Sequence, residues 1–304
     1  MMACHAARAV CVALPLPQAA ASTAGALPRL RAAVATFGAA AALATLLATS
    51  LATLLATTAV PAHAGQVCRD EPLSAAEVVK SMELAKKTYE ALEASGARVA
   101  LVARAGQDLS KYRQTYSHIG IVLRDHPAGR WTVVHELNAC GTASSDLYNE
   151  GIGNFFLTDL YRYEARILVP GPELQARLVQ VMAGRAPRRL HEPRYNMLSY
   201  VYSTRYQNSN QWVLELLASA GAAPGQVETR LEAQAWLKAQ RYDPATVEIP
   251  AAVRLGARMF RANVAFDDHP FDRRMAGHID TVNADALLRF VQARDPQARV
   301  LSAE

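Results

Sequence analysis

Three short segments carry residue types that nucleophilic catalysis uses: Ser117-His118-Ile119-Gly120-Ile121, Val134-His135, and Asn208-Ser209-Asn210-Gln211-Trp212-Val213. A hydroxyl in the first turn of a helix lies near free backbone N–H groups and the positive end of the helix dipole, which favour developing negative charge. Serine stays protonated at neutral pH, so it attacks a carbonyl only if an imidazole removes its proton. Each residue also has a plainer structural role. Ser209 could cap its helix, a task that Asn208 fills equally well. His118 could be a hydrogen-bonded core histidine, and His135 a half-buried strand residue whose neighbour Glu136 faces the other way.

Other residues with chemical potential are weaker candidates. Cys140 stands five residues after His135 and could itself be the nucleophile, but in an oxidising compartment a disulfide half is the better expectation; a bridge to Cys68 and two separate thiols both stay open. Asp267-Asp268-His269 offers metal-ligand types, yet adjacent residues on an extended chain point apart, and a turn with solvated charges is favoured. Arg185, Arg188, Arg189 and Arg194 could meet phosphate or carboxylate groups, against a solvated basic loop. Tyr195, Tyr200, Tyr202 and Tyr206 precede Ser209 and could line a groove. The chain has no glycine-rich phosphate loop and no paired CxxC. It gives no reason to expect a nucleotide, a nucleic acid, a metal or another cofactor.

The elements that must position these residues follow from periodicity. Ser74 with Glu77 forms a capping box, and Val78, Met82, Ala85, Tyr89 and Leu92 recur at helical spacing until Gly96. Residues 98–104 (RVALVAR) and 117–123 (SHIGIVL) read as strands, the second apolar on both faces and so central in its sheet. Residues 125–129 (DHPAG) are dense in turn formers, and residues 131–137 (WTVVHEL) resume a strand, giving a hairpin. A five-residue loop would set Glu136 opposite His118, and a six-residue loop would set His135 there. Residues 164–170 read as a strand, 173–182 as a helix, and 208–219 as a helix capped by Asn208 and ended by Gly221. Beyond it, 227–240 and 285–294 look helical, with a less regular piece between.

The three segments together resemble the circularly permuted papain-like proteins, the group of lecithin retinol acyltransferase and the permuted cell-wall amidases. There a histidine opens a central strand, a second polar residue lies on the next strand, and a cysteine begins a later helix. The resemblance implies that His118 is the general base, that His135 orients it, and that Ser209 stands at the nucleophile position. Here the chain departs from the pattern, with serine where the family uses cysteine. Asn208, Asn210 and backbone amides would support the oxyanion. The implied fold is α+β and permuted papain-like, an antiparallel sheet packed against helices with a mainly helical C-terminal extension. The implied substrate is a peptide, a cell-wall polymer or a lipid-like amide or ester. An alternative is a module that keeps the cleft for binding but has lost turnover. Over a wider span, YSHIGIV, RWTVVHELNACGT, GNFF, RYQNSNQWVLELLA and RANVAFDDHP resemble an uncharacterised exported bacterial family, the domain of unknown function 2145.

Residues 1–64 read as a leader, not a domain. They hold three basic residues, no acidic ones, a repeated LATLLAT unit and a Pro61-Ala62-His63-Ala64 end that fits signal cleavage. Residues 65–304 would then form one α+β domain, with a core over about 68–221 and an extension over about 222–304. Without the leader, 29 basic residues face 27 acidic ones, so the net charge falls from +5 to +2 and argues against nucleic acid. The expected location is periplasmic or secreted. Membrane association is expected only if the apolar leader stays attached.

Overall fold

The computed structural model describes residues 72–304, which belong to one compact unit. Residues 1–64, expected to be a leader with its cleavage site, and Cys68 lie outside the described residues. The chain opens with α1 (Ala75–Ser95), started by the Ser74–Glu77 capping box and stopped by Gly96 at φ 69°. Its buried face is Ser81, Leu84, Ala85, Thr88 and Leu92. Val78, Met82 and Tyr89, expected inside, are exposed. The small Ser81 and Thr88 let the helix approach its neighbours closely, which outweighs the larger apolar surface of the alternative face.

Strands β1 (Val99–Ala105), β2 (His118–His126), β3 (Gly129–Asn138) and β4 (Ser145–Gly151) follow, then the short α2 (Ile152–Phe156) and β5 (Arg162–Val169). Next come α3 (Pro172–Ala183), the single turn α4 (Ala186–Arg189), α5 (Ser209–Gly221) and α6 (Arg230–Ala239). The C-terminal part contains β6 (Ala245–Glu248), α7 (Ala251–Phe260), α8 (Phe271–Met275), β7 (His278–Thr281), α9 (Ala284–Arg294) and β8 (Arg299–Ala303). The architecture is α+β. Six strands form one antiparallel sheet in the order β4-β3-β2-β1-β5-β8, and β6 pairs with β7 separately. The region after Gly221 is largely helical but also closes the main sheet, because β8 pairs with β5.

Alternation along the strands divides the core into two layers. Ala100, Val102, Val122 and Val133 meet α1 and α2, through Leu84, Leu92, Phe155 and Phe156. Leu101, Ile119, Ile121 and Val134 meet α5, through Trp212, Val213 and Leu216. The β2–β3 hairpin is tighter than either loop length expected from sequence. Pairing continues through Asp125–Arg130 to His126–Gly129, which leaves only Pro127 and Ala128 to turn. Gly129 takes φ 145° and Trp131 takes φ 55°, and the indole of Trp131 is fully buried with its N–H donating to Glu93. Continuation of this register would place Leu137 opposite His118. Neither Glu136 nor His135 is the direct partner, although His135 does share the face of His118.

Candidate functional site

The hairpin ladder stops at Ile121–Val134, and beyond that pair the strands fork. The start of β2 pairs with β1, His118 opposite Arg104, while the end of β3 pairs with β4, His135 opposite Tyr148. Asn210 occupies the opening. Its Oδ1 accepts from the Ile119 N–H at 3.2 Å and its Nδ2 donates to the Ser117 carbonyl at 3.3 Å. Gly120 permits the close packing beside the fork, since a Cβ there would lie 2.5 Å from Val133 Cγ1 and 3.4 Å from His135 Cβ.

Across the fork, His118 Nε2 lies 2.9 Å from His135 Nδ1, and His135 Nε2 lies 3.1 Å from Glu150 Oε2. One proton arrangement satisfies the chain when both rings are neutral. The Glu150 carboxylate accepts from His135 Nε2–H, so His135 Nδ1 carries a lone pair and accepts from His118 Nε2–H. His118 Nδ1 is then left as a base. Burial, then the Arg104 guanidinium, then His135 hold the His118 imidazole well below its ordinary range. Burial also lowers His135, opposed by its hydrogen bond to Glu150, and that same bond lowers Glu150. Phe155 packs its ring 5.3 Å from His135 and 5.9 Å from His118, with the Arg104 guanidinium 4.5 Å over its face. Burial lowers Arg104 to about 10.

The start of α5 is built separately. Asn208 is the N-cap, its Oδ1 accepting from Gln211 N–H at 2.8 Å and its Nδ2 donating to Thr281 Oγ1 at 3.0 Å and to the Met197 and Val282 carbonyls. Ser209 is thus free of capping and buried, and its hydroxyl lies against the Tyr195 phenol. Burial pushes that phenol up to about 12, and the contact with Ser209 opposes the rise. No hydrogen bond joins Ser209 to His118 or His135, whose rings lie on the Phe155 side of the sheet while α5 packs on the other. The expected arrangement is therefore corrected in one part: the two imidazoles meet, whereas the hydroxyl is held by a phenol. The expected oxyanion roles of Asn208 and Asn210 are corrected likewise, because both carboxamides are engaged in fixing the helix start.

Sequence reasoning missed Glu150, Arg104 and Phe155. Glu150 sits on β4, whose polar sequence Ser-Asp-Leu-Tyr-Asn-Glu-Gly carries no apolar alternation that would announce an edge strand. Glu136, expected only as the alternative opposite His118, is instead fully buried on the α5 side, with the Ser145 hydroxyl beside its carboxyl. Burial raises Glu136 from an ordinary 4.5 to about 8, with Ser145, Arg230, Glu215 and Glu192 around it. Deeper still, Arg230 grips Glu215 through Nε at 2.7 Å and Nη2 at 3.1 Å, and Gln207, Gln211 and Gln234 complete the carboxylate's partners.

The remaining candidates have structural placements. His269 turns Nδ1 to Asp268 Oδ1 at 3.0 Å and Nε2 to the Asp280 carbonyl at 3.2 Å, so both ring nitrogens are occupied. No cluster of three metal-ligating side chains occurs among the described residues. Arg194 pairs with Glu192 and Arg189 with Glu228. Arg185, Arg188 and Arg189 border a groove of about 570 Å³ floored by Val134, Leu147 and Met182. Tyr202 donates to the Tyr242 carbonyl and packs edge-on to Tyr200.

Residues 91–291 match the model of a bacterial family described as uncharacterized protein conserved in bacteria, DUF2145, and the chain belongs to that family. No curated protein and no solved structure matches it.

Proposed function

Within a family that has no assigned activity, we propose that this chain is an exported envelope enzyme that hydrolyses, or transfers the acyl group of, an amide or ester. The observation that carries this reading is the Glu150–His135–His118 chain, with contacts of 3.1 and 2.9 Å, ending in an imidazole held neutral by burial. A carboxylate fixing one ring so that it fixes a second is the orienting logic of a general base. Asn210 supports Ser209 as the attacking group. By holding Ser117 and Ile119 it ties the first turn of α5 to the backbone on both sides of His118.

The proposed reaction requires Ser209 to leave Tyr195 and reach through the fork to the face of the rings, where His118 removes its proton as Oγ bonds to the substrate carbonyl carbon and the C=O electron pair moves to oxygen. Collapse expels the amine or alcohol, which leaves with that proton. Water, or an acceptor in a transfer, then repeats the sequence on the acyl-serine. The leader residues 1–64, the periplasmic or secreted location, the Cys68–Cys140 disulfide and the permuted papain-like ancestry belong to this same proposal. The substrate class is a peptide, cell-wall or lipid-like compound.

The test is labelling of the protein by a fluorophosphonate probe, with Ser209→Ala and His118→Asn in parallel. Labelling of the wild type alone supports the enzyme. Equal labelling of all three, or none, overturns it. Ser209→Cys extends the test, because a functional base should give that thiol reactivity toward iodoacetamide above that of a His118→Asn, Ser209→Cys protein. A second reading, a papain-like module that binds without turnover, is favoured by the Ser209 hydroxyl resting on Tyr195 and not on His118.

A further inference from the structure

The end of α3 and the turn α4 stand over the outer strands of the main sheet. Between them runs the groove of about 570 Å³ floored by Val134, Leu147 and Met182, a size within the roughly 300–1,000 Å³ of small-molecule sites. Alternation along β4 turns Leu147 and Asn149 into it. Their acidic neighbours are directed elsewhere: Glu150 bonds to His135 on the opposite face, and Asp146 accepts from the Leu147 N–H at 2.8 Å. No Asp or Glu lines the groove among the described residues. Its rim is cationic because α4 fixes it so. Arg185, Arg188 and Arg189 are spaced three and four apart, and one turn brings these like charges to one side, a destabilising arrangement. The turn is anchored by buried Ala186 and Leu190 and by the Pro187 carbonyl, which accepts from the Trp212 indole N–H at 3.0 Å. Arg189 is paired with Glu228 at 3.1 Å. The guanidinium groups of Arg185 and Arg188 are exposed and have no ion-pair or hydrogen-bond partner among the described residues.

Two unneutralised planar forks beside an apolar floor define a ligand with two parts. A guanidinium meets a planar carboxylate through two parallel N–H···O bonds, which the point charge of an ammonium does not do. The floor takes an apolar body, whose removal from water drives the contact with Val134, Leu147 and Met182. We propose that this groove binds a single-chain amphiphile with a carboxylate head, the chain lying along the β3–β4 floor and the head held by Arg185 and Arg188. The floor residues belong to the α5 face of the sheet, opposite the His118 and His135 rings, so the site does not depend on their chemistry.

The experiment titrates decanoate into the full chain by calorimetry, beside decanol, acetate and decyl phosphate. Decanoate should bind saturably, and decanol and acetate, each lacking one half of the ligand, about tenfold more weakly or worse. Arg185→Gln with Arg188→Gln should weaken decanoate by about tenfold or more and leave decanol unchanged. Asn149→Asp, which brings a carboxylate to an exposed lining position, should weaken decanoate as well. Arg241→Gln with Arg258→Gln removes the same net charge at exposed positions outside the groove and should leave the affinity as it was. Binding to residues 1–64 would survive every one of these substitutions, so it does not mimic the expected pattern. An unchanged circular dichroism spectrum establishes that the fold is kept. No saturable binding of decanoate overturns the proposal, as does equal affinity of the wild type and the Arg185, Arg188 variant. Decanol or acetate binding as tightly as decanoate also overturns it, the one by removing the role of the arginines and the other by removing that of the floor. A tenfold preference for decyl phosphate over decanoate overturns the carboxylate in favour of a phosphorylated head.

Discussion

Glu136 should make this protein lose stability as pH rises through the neutral range. Its carboxyl is fully buried, and burial, only partly opposed by the Ser145 hydroxyl and the Arg230 guanidinium, raises it from an ordinary 4.5 to about 8. Between those values the folded chain keeps a proton that the unfolded chain releases, so increasing pH favours unfolding. One proton of difference is worth about 1.4 kcal/mol per pH unit, hence about 4 kcal/mol between about pH 5 and about pH 8. The groups facing Glu136 are Ser145 on β4, Glu192, Glu215 on α5 and Arg230 on α6, and their own titration must be separated from its own. Glu136→Gln does this, since it removes the proton and keeps the shape. Urea unfolding of both proteins should show their stability difference moving by about 4 kcal/mol in favour of the variant across that interval. A difference constant with pH would refute the reasoning and mean that water or a partner reaches the carboxylate.

Three further outcomes are expected. Gly120→Ala brings a methyl group 2.5 Å from Val133 Cγ1 and should destabilise by about 1–3 kcal/mol, measured by urea unfolding. Arg230→Met leaves Glu215 buried without its bidentate partner and should cost about 3–5 kcal/mol, read from the shift in denaturation midpoint. If fluorophosphonate labelling proceeds through His118, its rate should stay level through pH 6.5 and fall only in more acid solution, because burial and Arg104 depress the imidazole and its neutral form is the base. Ring-proton NMR titration would follow the same group directly.

Elements with strong local signals were legible in the sequence. The Ser74–Glu77 box, the Asn208 cap and the doubly apolar β1 and β2 each specify their geometry within a few residues. The shared face of His118 and His135 came from the resemblance and not from the strands, because the five- and six-residue loops differ in parity and only the six-residue one puts both rings on one face. The register itself was not legible, since Pro127-Ala128 turns the chain while the neighbouring turn-forming residues remain paired. Glu150 was invisible because its strand is polar, and its role appears only when β4 is laid against β3. The separation of Ser209 from the rings was equally hidden, because spacing along a chain does not say on which side of a sheet a distant helix will land.

The pairing of β5 with β8 joins Ala165 to Ala303, the most distant strand partners among the described residues. Closing so large a loop is slow, and folding rates fall as native contacts become less local. Until β8 arrives, the outer edge of β5 has open N–H and C=O groups beside buried Ile167 and Leu168, an edge to which another strand can add. Lateness of this kind would leave a newly made polypeptide with an incomplete sheet for longest at that edge, and would put the hazard of aggregation before sheet closure instead of after it.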